Sequence, residues 1–162
     1  MDAPDSALHL LATSPLGKSL DDSQVKQLAG CATFESLSAS TTLFTEGDTA
    51  DSLRVIASGS VALDMHVPPR GSVRILTLGP GDVLGWSAIV GDGHMSATAT
   101  VLQDAELIRL AATNLIQLCD EDASFGRAVL HHVAQTLARR LQETRLQLLD
   151  LFADAKSGKA AS

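Results

Sequence analysis

Cysteine is scarce in this sequence, and neither cysteine stands in a pattern that carries chemistry. Only two occur among the 162 residues, Cys31 and Cys119, and neither has the paired Cys and His spacing of a zinc site. We therefore expect buried free thiols, with no disulfide framework and no metal. His131 and His132 are adjacent on a predicted helix and point to different faces, without a second ligand pair, so they do not indicate a metal site either.

Long apolar runs and an excess of positive charge are also lacking. Hydrophobic residues make up 45% and charged residues 19% of the sequence, a balance typical of one soluble globular domain and not of a membrane protein. The formal net charge of −7 opposes binding to nucleic acids and to anionic lipid surfaces, because both are polyanions. The N-terminus has no basic region ahead of a sustained apolar run, so we expect no secretory signal and a cytoplasmic protein.

The chain divides into three parts by composition. Residues 1–20 contain two prolines and a short apolar cluster, which suggests a loosely docked N-terminal arm. Residues 21–153 are expected to form one domain, which begins with a short helix capped by the aspartate at position 21 or 22. Residues 154–162 are small and polar, which predicts a disordered tail.

The centre of this domain, residues 40–110, has the pattern of turn residues that is typical of an all-β structure. Turn signals recur about every ten residues, which leaves no room for the helical crossovers of a parallel sheet. The segment therefore predicts a compact roll or sandwich. The predicted strands span residues 42–45, 53–57, 60–67, 73–78, 97–102 and 107–110.

The remainder is helical, with a short helix at residues 112–119 and a long one at residues 124–153. The long helix contains no proline and a single glycine, Gly126. A heptad seam runs along it through Leu130, Ala134, Leu137, Leu141, Thr144, Leu148 and Leu151. We expect the first part of the helix to pack on the roll and the later part to form a parallel homodimer. The predicted dimer contacts are Leu137, Leu141, Leu148 and Leu151.

Four segments, in this order, resemble the cyclic-nucleotide-binding domain family, as found in the ligand-binding half of bacterial catabolite activators. They are residues 43–63 (LFTEGDTADSLRVIASGSVAL), 75–89 (ILTLGPGDVLGWSAI), 96–110 (SATATVLQDAELIRL) and 134–145 (AQTLARRLQETR). The resemblance implies a mainly β fold with flanking helices: a double-stranded, jelly-roll-like β-roll followed by a long C-terminal dimerisation helix. It also implies a regulatory protein and not an enzyme.

The resemblance places a ligand site in the loop after Gly85, with a departure at its two charged positions. In the family, a glutamate after the glycine accepts the ribose hydroxyl and an arginine holds the cyclic phosphate. Trp86 and Met95 occupy these positions, and no Lys or Arg lies between Trp86 and Glu106. The ligand-binding positions implied by the resemblance are Gly85, Trp86, Ser87, Met95, Ser96, Ala97, Arg140 and Thr144.

Three interpretations of Trp86 and Met95 stay open. In the first, the two side chains are hydrophobic packing in a degenerate pocket. In the second, they form a pocket for a different ligand, which stacks on the indole. In the third, the site still binds a cyclic nucleotide through backbone and serine groups. Cyclic AMP, cyclic GMP and cyclic di-GMP are the candidate ligands. Thr144 has the alternative role of a polar residue that sets the seam's register, and Arg140 that of a solvated or ion-paired side chain.

We expect a stand-alone regulatory or sensor domain that acts as a homodimer, with another protein as a further candidate partner. Full-length relatives continue into a helix-turn-helix domain, whereas about ten polar residues follow Phe152 here, which disfavours direct DNA binding. The alternative is a ligand-free, degenerate domain that serves as a dimerising scaffold or interaction protein.

Overall fold

The computed structural model describes residues 3–159, which form a β-roll covered by helices at one end. The helices of this part are α1 (Ala3–Thr13), α2 (Asp22–Gly30), α3 (Ala112–Glu121) and α4 (Ala123–Lys159), with single 3₁₀ turns at Gly17–Ser19 and Trp86–Ala88. The strands are β1 (Ala32–Leu37), β2 (Thr42–Phe44), β3 (Ser52–Val67), β4 (Gly71–Leu78), β5 (Val83–Leu84) and β6 (Thr98–Ala111).

Two long strands, β3 and β6, form the backbone of the roll. The sheet has the order β1-β6-β3-β4, all described pairings are antiparallel, and β2 and β5 pair with β6 and β3. The β3–β6 ladder has register shifts near its middle. Bulges of this kind bend and twist a strand pair, so a single sheet curls into the roll. The predicted fold class is confirmed.

The predicted strand pairs 53–57 with 60–67, and 97–102 with 107–110, are each one continuous strand. The Ser58-Gly59 step is a bulge within β3 and not a turn between two strands. Gly59 has φ +84°, and a Cβ placed there would collide with the carbonyl oxygen of Asp104 on β6. The glycine thus allows the backbones of two neighbouring strands to approach closely.

The core has two parts. One lies inside the roll and includes Ile56, Val61, Leu84 and Leu107. The other lies between the roll and the helices, where Leu28, Leu115, Phe125 and Val129 pack against residues of β3 and β6 such as Leu53 and Ile108. The helical layer thereby fixes α4 against the side of the roll that carries β5.

A capping box starts α2, as the aspartate cap predicts. The Asp21 carboxylate accepts from the backbone N–H of Gln24 at 2.8 Å, and the Gln24 side chain accepts from the Asp21 N–H at 3.0 Å. The Gln24 amide also donates to Asp122 and Ser124. This contact ties α2 to the beginning of α4.

The expectation of a loosely docked arm over residues 1–20 is wrong for the residues that the structure describes. Residues 3–13 form α1, and Leu11 and Leu16 are 0% and 1% exposed in the helical part of the core. The apolar cluster at residues 8–11 turns out to be one side of an amphipathic helix, which gains stability by packing. Residues 1 and 2 lie outside the described range.

The other boundaries also differ from the predictions. The strands extend from residue 32 to 111, because β1 pairs with the far end of β6. The predicted range began later because β1 carries no strong strand signal of its own. Helix α4 continues to Lys159, so a disordered tail is wrong for residues 154–159, and residues 160–162 lie outside the described range. Cys31 and Cys119 are free thiols but only half-buried.

Candidate functional site

The loop after β5 is positioned by a sharp turn at Gly85. Strand β5 pairs with Arg54 and Val55 of β3, which fixes where the chain leaves the sheet. Gly85 has φ +80°, and a Cβ there would collide with the carbonyl oxygen of Ser52. The backbone therefore requires glycine at this point before the 3₁₀ turn Trp86–Ala88.

The end of the same loop is held by hydrogen bonds to the turn between β2 and β3. The Met95 N–H donates to Asp48 O, and the Gly47 N–H donates to Met95 O, both at 2.8 Å. These bonds form a short ladder beside the bridge between Thr49 and His94. The Met95 side chain is 4% exposed, whereas His94 is mostly exposed. The loop thus presents an apolar side chain to the interior and leaves its histidine outside.

The predicted loop residues meet around one small cavity, which we call the cassette cavity. Its volume is about 20 Å³. A ligand pocket usually has roughly 300–1,000 Å³, whereas about 10–15 Å³ is enough for one water. The cassette cavity is therefore filled by side chains in this conformation. It is lined by Phe44, Leu63, Leu84, Gly85, Trp86, Ser87, Met95, Ser96, Ala97 and Arg140.

Arg140 is the one residue of α4 among those lining the cassette cavity. It is 8% exposed, and its Nη2 donates to the carbonyl oxygen of Val83 in β5. Its Nε has no hydrogen-bond partner among the described residues. Burial is the main cause that lowers the pKa of Arg140; Asp82 and Glu143 act in the opposite direction, and Arg139 lowers the pKa further. Neither a solvated side chain nor an ion pair describes this arginine, so that alternative is wrong.

Thr144 is not brought to the cassette cavity within one chain. Its side chain is exposed, and its hydroxyl donates to the carbonyl oxygen of Arg140 at 2.9 Å, one turn earlier in α4. The cavity lining contains seven of the eight predicted ligand-binding residues and leaves out Thr144.

Helix α4 has two distinct apolar sides. Phe125 and Val129 are buried in the core between the roll and the helices, and Val133 is buried as well. The later seam residues are not covered by the roll, with Leu141 52%, Leu148 50% and Leu151 64% exposed, while Leu137 is half-buried. The seam from Leu141 onward is thus uncovered in the single chain.

A second, larger cavity, which no sequence pattern indicates, lies beside the cassette cavity. Its volume is about 360 Å³, and α4 contributes His132 and Arg139 to its wall. The Asp82 carboxylate faces it, accepting from Arg139 at 3.0 Å as well as from the Gly79 N–H of its own turn. Burial, and then Arg139 and His131, lower the pKa of His132. Asp82 and Arg139 are 57 residues apart, so no local pattern pairs them.

The chain belongs to the family described as the cyclic nucleotide-binding domain, which it matches over residues 34–122. This segment contains the whole β-roll after the first residues of β1, together with the cassette loop and α3. The resemblance drawn from the four sequence segments is therefore confirmed.

Similar proteins agree with this assignment. The chain is 35% identical over 107 residues to the cyclic AMP receptor protein of Thermus thermophilus, covering 65% of this chain and 47% of the relative. The crystal structure of the Thermus thermophilus catabolite activator protein superposes with a TM-score of 0.70 at 29% identity, covering 86% of this chain and 63% of that one. A cyclic nucleotide-binding domain from Methylobacillus flagellatus shares the fold, with a TM-score of 0.78 at 23% identity, over 91% of this chain and 83% of that one.

The chain spans about half the length of the first of these relatives. Among residues 3–159, no helix is both long enough and apolar enough to cross a membrane. The same residues contain no group of three or more His, Cys, Asp or Glu side chains placed to hold a metal ion.

Proposed function

We propose that this protein is a dimeric regulatory module in which a ligand enters the cassette cavity and α4 carries the effect to a second copy. The observation that supports this most directly is that Arg140 lines the cassette cavity while it belongs to the helix that bears the exposed seam. A ligand that displaced Arg140 would act on α4 without any intermediate element. The role is regulatory and not catalytic, in the cytoplasm, and another protein is a candidate target of the dimer.

A cyclic nucleotide is the ligand class that the family suggests, but the site must open to admit it. Trp86 and Met95 supply bulk where the family has two charged side chains, and the remaining volume is about 20 Å³. Methionine is flexible and adapts readily to a new neighbour. The Trp86 indole offers a flat face on which a purine can stack. A nucleotide would thus exchange packing inside the cavity for stacking on Trp86.

Isothermal titration calorimetry with cyclic AMP, cyclic GMP and cyclic di-GMP tests the ligand. We expect saturable binding of one of them, and a blue or red shift of fluorescence from Trp86, the single tryptophan of the chain. The variant Ser87→Ala tests the location of the site, because it alters a buried lining residue and should weaken the same binding. Absence of heat and of a thermal shift with all three ligands would contradict the sensor role.

A ligand-free scaffold is the second candidate, and the small cavity favours it. Met95 and Ala97 are 4% and 6% exposed, so the cavity wall already resembles a packed core. On this alternative, the roll only holds α4 in place for dimerisation. This alternative predicts that added cyclic nucleotides change neither the dimerisation constant nor the fluorescence of Trp86. It would be contradicted by any small molecule that binds at Trp86 and alters the dimerisation constant.

The dimer is proposed from the seam. Leu141, Leu148 and Leu151 recur at heptad spacing on a helix face that the described residues leave exposed. A second copy of the same helix, aligned in parallel, presents a matching seam, and burying these leucines removes apolar surface from water. The oligomeric state is therefore the property on which the regulatory role depends.

A further inference from the structure

The larger cavity, which we call the turn cavity, has α4 on one side and the turn before β5 on the other, and its volume is about 360 Å³. Ligand pockets usually have roughly 300–1,000 Å³. The α4 wall consists of four polar residues spaced i, i+3, i+4 and i+7 along one helix face, namely His132, Gln135, Thr136 and Arg139. This spacing normally carries the apolar residues with which a helix packs. Packing therefore does not account for the polar wall.

One of these polar side chains is buried without a partner. Thr136 is 6% exposed and lines the turn cavity, and its hydroxyl makes no hydrogen bond to another described residue. Thr144, two turns further along α4, instead donates to the backbone carbonyl one turn before it. Buried hydroxyls in proteins normally have a hydrogen-bond partner. The Thr136 hydroxyl therefore offers the turn cavity a donor and an acceptor that the described chain leaves unused.

The turn cavity carries one charge of each sign. Asp82 and Arg139 are paired at 3.0 Å, and their side chains are 27% and 54% exposed, so a solute can reach both groups. The Arg139 guanidinium has five N–H donors and uses one of them within the described chain. Burial lowers the pKa of His132, so its ring adds no charge at neutral pH. A singly charged ligand would be attracted by one of the two groups and repelled by the other, whereas a zwitterion is attracted by both.

We propose that the turn cavity binds a free α-amino acid, with its carboxylate on Arg139 and its ammonium group on Asp82. The Thr136 hydroxyl supplies a further hydrogen bond, and Pro80 and Val83 provide apolar wall for a short aliphatic side chain. The bound amino acid bridges α4 and the turn before β5, so it fastens the helix to the roll. This site shares no lining residue with the cassette cavity, and the inference goes beyond the proposed function.

A thermal-shift screen of the wild-type protein with each standard L-amino acid, at millimolar concentration, tests the ligand class. A ligand that binds only the folded state raises its stability by mass action. We expect an amino acid with a short aliphatic side chain to raise the melting temperature, and calorimetry to show that it binds saturably. Absence of a thermal shift and of heat with every amino acid would overturn the proposal.

Analogues of the active amino acid that lack one charge test the zwitterion. For L-valine these are 3-methylbutanoate, which lacks the ammonium group, and isobutylamine, which lacks the carboxylate. Each analogue should bind at least tenfold more weakly than the amino acid, because it loses one charge-assisted contact. An analogue that binds as tightly as the amino acid would show that only one of the two charges is used, and would overturn the proposal.

Two variants locate the binding site, and a third is their control. Arg139→Gln should weaken binding of the active amino acid by at least tenfold, and Thr136→Val by about fivefold, the loss of one neutral hydrogen bond. Arg74→Gln removes the same charge from a similarly exposed ion pair, with Asp64 at 3.2 Å, and should change binding less than twofold. Equal binding by wild type and Arg139→Gln would place the amino acid elsewhere and overturn the proposal.

The outcome is independent of the sensor role. An amino acid that binds through Arg139 in a protein without affinity for cyclic nucleotides supports the turn cavity and contradicts a nucleotide sensor. Cyclic nucleotide binding without amino acid binding does the reverse. An amino acid that changes the fluorescence of Trp86 and still binds Arg139→Gln occupies the cassette cavity, which would also overturn this inference.

Discussion

Arg139 and Asp82 form an ion pair that joins α4 to the turn before β5, with 3.0 Å between Nη2 and Oδ1. The adjacent Arg140 contacts the same segment through Val83. Two consecutive arginines therefore hold α4 against the strand that leads into the cassette loop, one at the surface and one in the interior. The two contacts differ in how much they contribute to stability.

Asp82 contributes more to stability than its ion pair with Arg139. The Arg139 side chain is 54% exposed, and an exposed pair of this kind is worth about 0.2–1 kcal/mol. Asp82 also accepts from the Gly79 N–H at 3.0 Å, which closes the turn. We expect Asp82→Ala to lower the free energy of unfolding by about 1–2 kcal/mol, since it also removes a turn hydrogen bond, and Arg139→Ala by less than 1 kcal/mol.

Urea unfolding of both variants and of the double variant checks this. The coupling energy from the double-mutant cycle should be below about 1 kcal/mol. An equal loss in the two single variants would show that the turn hydrogen bond is unimportant.

Gly59 and Gly47 form a matched pair for testing the bulge in β3. Both have positive φ, +84° and +91°, but a Cβ at Gly59 would collide with β6, whereas a Cβ at Gly47 would meet nothing within 4 Å. Gly47→Ala should cost about 1–2 kcal/mol from backbone strain alone. Gly59→Ala should cost about 3 kcal/mol or more, because overpacking adds roughly 1–3 kcal/mol to the strain. Denaturant unfolding at constant m-value measures both, and similar losses would contradict the close approach.

Much of this fold can be predicted from the sequence, because the signals for helix caps and turns are local. The Asp21 cap and the glycine turns depend on neighbours within a few residues. Strand continuity depends on long-range pairing: Ser58-Gly59 has the composition of a turn and becomes a bulge because β6 lies alongside it. The burial of Leu11 and the contact of Arg140 with Val83 are tertiary as well, so periodicity alone could not give them.

His132 should make the protein less stable in mild acid. Its pKa is lowered in the folded state, by burial first and then by Arg139 and His131. The unfolded chain therefore binds more protons as the pH falls below about 6.5, and stability is lost in that direction and regained as the pH rises. We expect the free energy of unfolding to fall less between pH 8 and pH 5.5 in His132→Gln than in wild type.

The control for this pH effect is His131→Gln, since His131 is exposed on the same helix turn. Its pH dependence should stay close to that of wild type, because His131 is the last of the three causes of the lowered pKa of His132 and burial and Arg139 remain. Chemical denaturation at a series of pH values provides the measurement, and a wild-type slope in His132→Gln would assign the effect to other groups.

Leu141→Asp should split the proposed dimer. Leu141 is 52% exposed in the single chain, and in a parallel pair two Asp side chains would face each other across the buried seam. Leu146→Asp is the matched control, because Leu146 is 62% exposed and five residues on, about 140° around the helix from Leu141. Light scattering should give twice the chain mass of 16.9 kDa for wild type and Leu146→Asp, and the single mass for Leu141→Asp. A wild-type monomer at micromolar concentration would refute the dimer.

Restoring charge at Met95 should create cyclic nucleotide affinity at a cost in stability. Met95 is 4% exposed and lines the same cavity as Arg140, so Met95→Arg brings a second guanidinium into a space that has no acid. The ligand-free variant should therefore unfold at a lower temperature than wild type. Trp86→Glu in addition supplies a compensating carboxylate and frees volume. A bidentate contact to phosphate, at about 1.5–3 kcal/mol per charge-assisted hydrogen bond, corresponds to a gain of roughly a hundredfold to ten-thousandfold in affinity.

The control is His94→Arg, which adds the same side chain at the neighbouring, exposed position. Thermal shift and calorimetry with cyclic AMP compare wild type with Met95→Arg, the Met95→Arg and Trp86→Glu double variant, and His94→Arg. We expect cyclic AMP to restore the lost thermal stability of the Met95→Arg and Trp86→Glu double variant and to leave His94→Arg unchanged, because only the buried position can place the cation on a phosphate in the cavity. Equal affinities in the double variant and in His94→Arg would mean that the cavity does not receive a phosphate, and would favour the scaffold over the sensor.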